Sequence, residues 1–326
     1  MINKNAITQK RQVINLIRQF FESQGFFEIE TPLFVPSPGM EEHLHGFKTE
    51  YINHQGESET YYLPTSPEFA IKKALGSGFE NVFEIARSFR NHGELGKLHH
   101  PEFNMLEWYR TDADYQDVMT DTENLIHFLV EHFPTHHYAN FSWELPFKKR
   151  TIAQVFIDEV NIDLAKGLDD FSYWKRSAEE RLGVQIPNDD TFDDIFFRLW
   201  IQCIEGKLGQ TQPEIVYDYP AHMSALSKIK SDNPRWAERF ELYIRGIEIG
   251  NAFSELTDSN EQESRFIHAN LEREKMGYPP HPVDYELIRA VGKMKPTGGI
   301  AIGIERLLMV LTHTEDIREF FLFPMK

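Results

Sequence analysis

The alternation of hydrophobic and polar positions predicts helices interleaved with short strands. Apolar residues recur every three or four positions over residues 8–24, which predicts an amphipathic helix, and Gly25 follows where a C-terminal cap belongs. The segment FFEIETPLF then predicts a short strand ended by Pro32. Residues 36–60 are rich in Pro, Gly, His and Glu, so we expect loops with short strands there.

Two hairpins dominate the rest of the pattern. The first, EIARSFRNHGELGKLHHPEFNMLEWYR over residues 84–110, predicts a strand, a polar glycine-bearing loop and a second strand. The second, ERFELYIRGIEIGNAFSEL over residues 238–256, predicts a hairpin that turns at Arg245 and Gly246. Strands joined by hairpins favour an antiparallel sheet over a doubly wound parallel one, so we predict the α+β class.

Helical periodicity accounts for most of the remaining chain. Residues 66–75 begin like a capped helix, with Ser66 at the cap and Pro67 in the first turn. We expect further helices over residues 114–133, 150–210 and 260–292, a strand over residues 213–220, and a glycine-rich strand running into a helix in GGIAIGIERLLMVL. With no repeat and no linker in the chain, we predict a single domain over residues 1–326, with a helical insertion at roughly 150–210.

Strand alternation places chemically distinctive side chains on common faces. One face of the first hairpin's second strand carries Phe103, Met105, Glu107 and Tyr109. This face combines an aromatic ring, a carboxylic acid and a phenol. A half-buried strand with a solvated glutamate fits the same residues. The face is therefore a candidate binding surface that the strand alone does not distinguish from ordinary packing.

The second hairpin brings two carboxylates together. If the turn is at Arg245 and Gly246, Glu248 faces Tyr243, and Glu241 becomes its diagonal neighbour at about 7 Å between β-carbons. Such a pair suits Mg²⁺, which takes one or two carboxylates plus phosphate oxygens. A solvated acidic face explains the same spacing, and the spacing alone favours that explanation.

The residues after Glu248 present a parity conflict, because a regular strand cannot place all of them on the same face as Glu248. Asn251, Phe253 and Glu255 fall on the opposite face from Glu248 in a regular strand. Either a bulge near Gly250 turns them toward one pocket, or they serve different layers of the protein. The sequence leaves both arrangements open.

Composition narrows the class of protein. Lys and Arg total 34 against 51 Asp and Glu, a net charge of −17, which disfavours nucleic acid and fits a basic protein partner better. Cys203 is the only cysteine, so no internal disulfide forms and a reducing compartment is expected. We find no signal-peptide core and no apolar run of about 18 residues, and we expect a soluble cytoplasmic protein without membrane contact.

Three segments in order resemble the motifs of class II aminoacyl-tRNA synthetases. GFFEIETP, with Pro32, resembles the first motif, which forms the dimer interface in that family. FRNHGELGKLHHPEFNMLEW resembles the second and GIAIGIERL the third. The resemblance implies the family's catalytic core, an antiparallel sheet flanked by helices, and a homodimer.

The resemblance also implies ATP and Mg²⁺ as cofactors. Arg90 and Arg306 would be the catalytic residues, Phe103 would stack on adenine, and Glu241 and Glu248 would hold the metal. The ATP-binding residues would be Arg90, Asn91, His92, Glu94, His99, His100, Phe103, Glu248, Ile249, Gly303 and Arg306. The second motif's loop is one residue longer than usual, so either His92 or Glu94 contacts adenine.

Within the class, TSPEF, NMLEWY and NAFSEL resemble the lysine pocket of lysyl-tRNA synthetases. Glu68, Tyr109 and Glu255 would hold a distal ammonium, which suits two carboxylates and a phenol. The substrate-binding residues would be Ser66, Pro67, Glu68, Glu107, Tyr109, Asn251, Glu255 and Ala301. Ala301 stands where lysyl-tRNA synthetases have glycine.

The chain is most similar to the truncated lysyl-synthetase relatives that modify elongation factor P. These activate (R)-β-lysine with ATP and pass it to a lysine of that factor. We therefore expect elongation factor P and (R)-β-lysine or lysine as partners, no anticodon-binding domain and no tRNA. The alternatives are an asparagine synthetase of the same fold, residual lysyl-tRNA charging, and a silent paralogue that only binds a partner.

Overall fold

A computed structural model describes residues 3–41, 43–93, 95–224 and 226–325. The strands are β1 Phe27–Glu28, β2 Phe47–Ile52, β3 Ser58–Leu63, β4 Val82–Phe89, β5 Glu102–Thr111, β6 Lys148–Thr151, β7 Glu214–Pro220, β8 Trp236–Ile244, β9 Ile247–Ser254 and β10 Thr297–Gly303. The α-helices are α1 Lys4–Ser23, α2 Glu68–Gly76, α3 Tyr115–His132, α4 Ile152–Val160, α5 Leu164–Asp169, α6 Phe171–Leu182, α7 Phe192–Leu199, α8 Ser259–Lys275, α9 Tyr285–Val291 and α10 Ile304–Thr312.

Eight strands form one sheet in the order β1-β4-β5-β10-β9-β8-β7-β6, and β2 pairs with β3 in a separate hairpin. The predicted α+β class is confirmed, and both predicted hairpins, β4–β5 and β8–β9, are antiparallel pairs. The sheet is nevertheless mixed, because the edge pairs β1–β4 and β6–β7 are parallel. Long connections join the strands of these two pairs, and parallel pairing requires such connections.

The largest hydrophobic core lies between one face of the sheet and helices α1, α3 and α10. Phe21 of α1 packs against Phe83 and Trp108, with ring centroids 5.0 Å apart in each pair. A second core lies among the helices between β6 and β7 and is centred on the buried Phe156 and Trp174. The helices predicted between residues 150 and 210 are therefore present and packed.

Three predicted boundaries are wrong, each for a local reason. Helix α1 begins at Lys4, four residues early, because the Asn3 side chain accepts from the Ala6 amide. Pro67, rather than Ser66, is the N-cap of α2. The predicted helix over 260–292 divides into α8 and α9 because Pro279, Pro280 and Pro282 cannot continue it.

Only β1 forms within FFEIETPLF. No helix in the described part of the chain is both long and apolar enough to cross a membrane.

Candidate active site

A cavity of about 520 Å³ lies on the face of the sheet opposite the largest core. Its floor is built by the central strands β5, β10 and β9, whose registers align in rows. Ala301 pairs with both Glu107 and Asn251, and Gly299 pairs with both Tyr109 and Phe253. Since side chains in one row lie side by side, residues from distant parts of the chain face the same space.

The cavity collects most of the residues predicted from the sequence. Its wall includes Ser66, Glu68, Arg90, His99, His100, Phe103, Glu107, Tyr109, Glu248, Ile249, Asn251, Glu255, Ala301, Gly303 and Arg306. Pro67, Asn91, His92 and Glu241 do not line it. Glu94 lies outside the described residues.

The bulge proposed near Gly250 resolves the parity conflict in β9. Tyr243 pairs with Glu248, but Leu242 pairs with Gly250, so Ile249 is an extra residue in the ladder. Beyond the bulge the parity is reversed, and Glu248, Asn251 and Glu255 all line the cavity. The alternative of separate layers is therefore wrong.

One end of the cavity is strongly acidic. Glu68, Glu107 and Glu255 are buried there, and the Tyr109 hydroxyl donates to Glu107 Oε2 at 2.9 Å. Glu107 Oε1 and Glu255 Oε1 are buried without a hydrogen-bond donor among the described residues. Two buried carboxylate oxygens thus remain available to a cationic ligand.

Burial and mutual repulsion raise the pKa values of the ionisable side chains at this acidic end. Burial, with a smaller contribution from Glu68, raises the pKa of Glu107 well above its usual range. Burial also raises the pKa of Glu255 to about 8, although Lys72 opposes the change. Burial and the nearby carboxylates raise the pKa of Tyr109, which keeps its hydroxyl a donor. These carboxyl groups therefore retain protons that a bound cation would displace.

The sequence analysis missed a buried cation in this acidic end. Lys72 Nζ lies 2.7 Å from Glu68 Oε1 and 2.6 Å from Glu255 Oε2, and it sits 5.4 Å from the centre of the Phe253 ring. Glu68 and Lys72 are four residues apart in α2, which is the one sequence signal that pointed to this pair. The contact with Glu255 depends on how α2 packs against β9.

Glu41 is a second residue that the sequence analysis missed. It lines the cavity beside Glu68, Arg90 and Lys72, in a loop that the pattern assigned no structure. Burial first, and then repulsion from Glu68, raises the pKa of its carboxyl. No local pattern indicates this position, since the loop approaches the site only in the folded chain.

The opposite end of the cavity carries the two arginines. The Arg90 guanidinium lies 5.3 Å from the centre of the Phe103 ring. Arg306 Nη1 donates to the Glu248 carbonyl at 3.0 Å and lies 3.3 Å from Glu248 Oε2, and its Nη2 is 2.8 Å from His99 Nε2. Two cationic groups beside an aromatic ring form a site suited to a nucleotide phosphate chain.

The two predicted metal ligands differ in how accessible their carboxylates are from the cavity. Glu248 is partly exposed at the cavity wall, whereas Glu241 is buried behind it. Glu241 Oε1 accepts from Arg239 at 2.6 Å, and Oε2 accepts from Tyr219 at 2.6 Å and also from Tyr243. Arg239, which the sequence analysis also missed, donates to Asn251 Oδ1 at 3.0 Å and so connects Glu241 with a residue of the cavity wall.

The second motif's loop is only partly turned toward the cavity. His92 stacks on His45 with ring centroids 4.6 Å apart, and the Asn91 amide donates to the His45 carbonyl at 2.7 Å. His100 is fixed in place because Nδ1 lies 2.6 Å from the Glu102 carbonyl and Nε2 accepts from the Met325 amide at 3.1 Å. The predicted nucleotide contacts of Asn91 and His92 stay predictions.

Comparison with known proteins agrees with this geometry. The family model for "tRNA synthetases class II (D, K and N)" matches residues 2–326. A protein of Mannheimia succiniciproducens named elongation factor P–(R)-beta-lysine ligase is 36% identical over 316 residues, covering 96% of this chain and 93% of that protein. Proteins of the same name from Photobacterium profundum and Vibrio atlanticus are 34% and 35% identical, each covering 98% of this chain and 95% of its own.

The predicted resemblance to class II synthetases, made from the motifs, is thus confirmed by the family model and by the relatives. The chain belongs to the family of class II tRNA synthetases (D, K and N).

Proposed function

We propose that this protein is an ATP-dependent ligase that activates (R)-β-lysine and joins it to the ε-amine of a lysine on elongation factor P. The observation that supports this proposal most strongly is a cavity with buried carboxylates at one end and Arg90 and Arg306 at the other. By charge, the ammonium groups of a diamino acid match the acidic end, and the phosphates of a nucleoside triphosphate match the end that carries the two arginines. The printed names of the relatives support the same substrates.

In the first proposed step, a carboxylate oxygen of β-lysine attacks the α-phosphorus of ATP. The bond to the β-phosphate oxygen breaks, giving the aminoacyl-adenylate and pyrophosphate. Arg90 would stabilise charge on the α-phosphate, Arg306 would hold the phosphate chain, and Phe103 would stack on the base. Positioning and electrostatics account for the step without a covalent enzyme intermediate.

The carboxylates near Arg306 suit Mg²⁺ only in part. Glu248 fits a metal ligand, since its partly exposed carboxylate faces the phosphate end. Glu241 fits a metal ligand less well, because its carboxylate oxygens already accept hydrogen bonds from Arg239 and two tyrosines. When bound, Mg²⁺ would supply charge neutralisation at the phosphates.

In the second proposed step, the neutral ε-amine of the acceptor lysine attacks the acyl carbon. A new amide bond forms, the bond between the acyl carbon and the phosphate oxygen breaks, AMP leaves with that oxygen, and the proton lost by the amine passes to solvent. Elongation factor P is then the partner, with no part for tRNA, and the reaction belongs in the cytoplasm with translation. We propose that residues 1–326 act as one catalytic domain.

Ala301 supports a preference for the β-isomer. Its backbone lies between Glu107 and Asn251 in the floor of the pocket, and we propose that its methyl group would crowd an α-amino group of the substrate. One methyl group shifts preference between two ligands by about 1–3 kcal/mol. An amino group moved one carbon along the chain would avoid that methyl.

The proposal includes a homodimer formed through the first motif. Phe27 is 60% exposed and Phe79 is 47% exposed, with ring centroids 6.2 Å apart. Leu33 and Phe34 add further exposed apolar surface nearby in the chain. Such a patch is typical of a protein interface.

The deciding experiment is mass spectrometry of purified elongation factor P after incubation with enzyme, ATP and each lysine isomer. We expect a mass increase of one lysyl residue, dependent on ATP and largest with (R)-β-lysine. ATP–pyrophosphate exchange separates the alternatives: exchange with aspartate would indicate an asparagine synthetase, and no exchange with any amino acid would indicate a silent paralogue. Acylation of bulk tRNA would indicate residual tRNA charging.

A further inference from the structure

Lys72 occupies the position that the sequence assigned to the substrate. Glu68 and Glu255 were predicted to hold the distal ammonium of a lysine isomer, yet the Lys72 ammonium already bridges them at 2.7 and 2.6 Å. Lys72 is completely buried and cannot leave the site by a small rotation into solvent. A ligand ammonium must therefore bind beside Lys72 rather than between the two carboxylates.

The oxygens left for the ligand are identifiable. Lys72 uses Glu68 Oε1 and Glu255 Oε2, while Glu255 Oε1 and Glu107 Oε1 are buried without a donor among the described residues. Buried acceptors without donors are costly, so they mark the place where a bound ligand supplies hydrogen bonds. Lys72 thereby fixes which face of each carboxylate meets the substrate.

Lys72 also sets the charge of the pocket. Glu41, Glu68, Glu107 and Glu255 contribute four negative charges when ionised, and Lys72 and Arg90, which both act on Glu41, contribute two positive charges, which leaves two negative charges. A ligand with two ammonium groups balances that charge, whereas a ligand with one leaves a buried charge unpaired. We propose that Lys72 is a specificity-determining residue that limits this pocket to diamino acids by fixing its charge and the orientation of Glu68 and Glu255.

Lys72 is suited to this role because it stays protonated. Burial would lower its pKa, but Glu255 and Glu68 outweigh burial and raise the pKa above its usual value. A protonated amine is not a nucleophile, so Lys72 is protected from reaction with the adenylate formed nearby. The inference rests on the proposed function for the identity of the diamino acid.

Binding calorimetry on the full chain tests the proposal independently of catalysis. Lys72→Met keeps the side-chain length and removes the charge, and we expect it to weaken binding of (R)-β-lysine and L-lysine by about 100-fold or more. Binding of ATP should change by less than about threefold. Lys73→Met is the matched control, because Lys73 pairs with Asp284 and Glu286 and does not line the cavity, and it should change either affinity by about twofold at most.

Chemical rescue separates a positioning role from simple damage. In Lys72→Ala the missing atoms correspond to propylammonium, and adding that ion should restore lysine affinity by about tenfold or more. Tetramethylammonium, which carries a charge but no N–H donor, should not restore it. If Lys72→Met binds lysine isomers within about threefold of the wild type, or if both ions rescue equally, the proposal is wrong.

A measurement on the unaltered protein covers the case in which the variants do not fold. We expect 6-aminohexanoate, which has the distal ammonium but no second one, to bind about 100-fold more weakly than the lysine isomers. Equal binding would overturn the charge-matching argument. If the lysine isomers bind but no ATP–pyrophosphate exchange occurs, the proposed function is contradicted while the role of Lys72 stays supported.

Discussion

Gly299 lies directly against Glu255. A β-carbon placed on Gly299 would stand 2.4 Å from Glu255 Oε1 and 2.6 Å from the Tyr109 ring. The glycine is therefore what allows a carboxylate and a phenol from neighbouring strands to converge on one point of the cavity floor.

We expect Gly299→Ala to abolish lysine-dependent ATP–pyrophosphate exchange, because the methyl group would displace Glu255 and Tyr109. The fold should be retained, with a loss of about 1–3 kcal/mol from overpacking, measured by urea unfolding. Gly206→Ala is the matched control, since a β-carbon there meets nothing within 4 Å. Full exchange activity in Gly299→Ala would show that this close approach does not matter.

Substrate affinity should depend on pH through Glu255, whose carboxyl has a pKa of about 8 in the empty pocket. A dicationic ligand favours the ionised carboxylate, so binding at pH 6.5 should release protons, and affinity should rise by up to about tenfold per pH unit toward pH 8. Calorimetry in buffers with different ionisation enthalpies measures the release. Glu255→Gln should reduce that release by the share that Glu255 contributes beside Glu107, and an unchanged proton count in this variant would contradict the assignment.

Stability should depend on pH through Glu107, whose folded-state pKa is raised well above the unfolded value. As pH rises above the unfolded pKa, the unfolded chain loses its proton first, so the folded state loses stability. Glu107→Gln should therefore raise the free energy of unfolding at pH 8 by about 1–2 kcal/mol and lower catalytic activity.

Thermal unfolding at pH 5 and pH 8 checks this prediction. The difference between Glu107→Gln and the wild type should be larger at pH 8. Glu50→Gln, on the exposed side of β2, should show no difference at either pH. A variant less stable than the wild type at pH 8 would indicate that the Glu107 carboxylate is stabilising when ionised.

Glu41 should contribute to binding of the diamino acid because it lines the cavity beside Glu68 and Arg90. We expect Glu41→Gln to raise the KM for lysine isomers by about tenfold, the effect of one charged hydrogen bond, with little change in the KM for ATP. Steady-state exchange assays measure both constants. Equal increases in the two would indicate that Glu41 acts through Arg90 instead.

The proposed homodimer can be tested at Phe27, which is 60% exposed beside Phe79. Phe27→Glu places a charge in this apolar patch and should convert the dimer to monomer in light scattering at micromolar concentration. Tyr285→Glu, at another exposed position, is the control and should leave the dimer intact. A wild-type protein that is monomeric under these conditions would rule out the dimer.

Local chemistry made much of the fold predictable. The turn at Arg245 and Gly246 has positive φ at both residues, as a tight hairpin requires, and the alternation in β5 placed Phe103, Glu107 and Tyr109 on the cavity face. The sequence did not decide whether β9 contains a bulge. The bulge at Ile249 depends on pairing with β8 and β10 at once, which local periodicity does not encode.

The sequence alone determined the hairpins, the order of the three motifs and a set of site residues most of which line the cavity, because these follow from alternation, turn chemistry and residue identity. Only the tertiary structure decided the charge within the cavity. Lys72 reaches Glu255, and Glu41 approaches Arg90, through contacts between segments far apart in the chain. Burial by those contacts then set the protonation of the carboxylates, since desolvation depends on everything packed around a charged group.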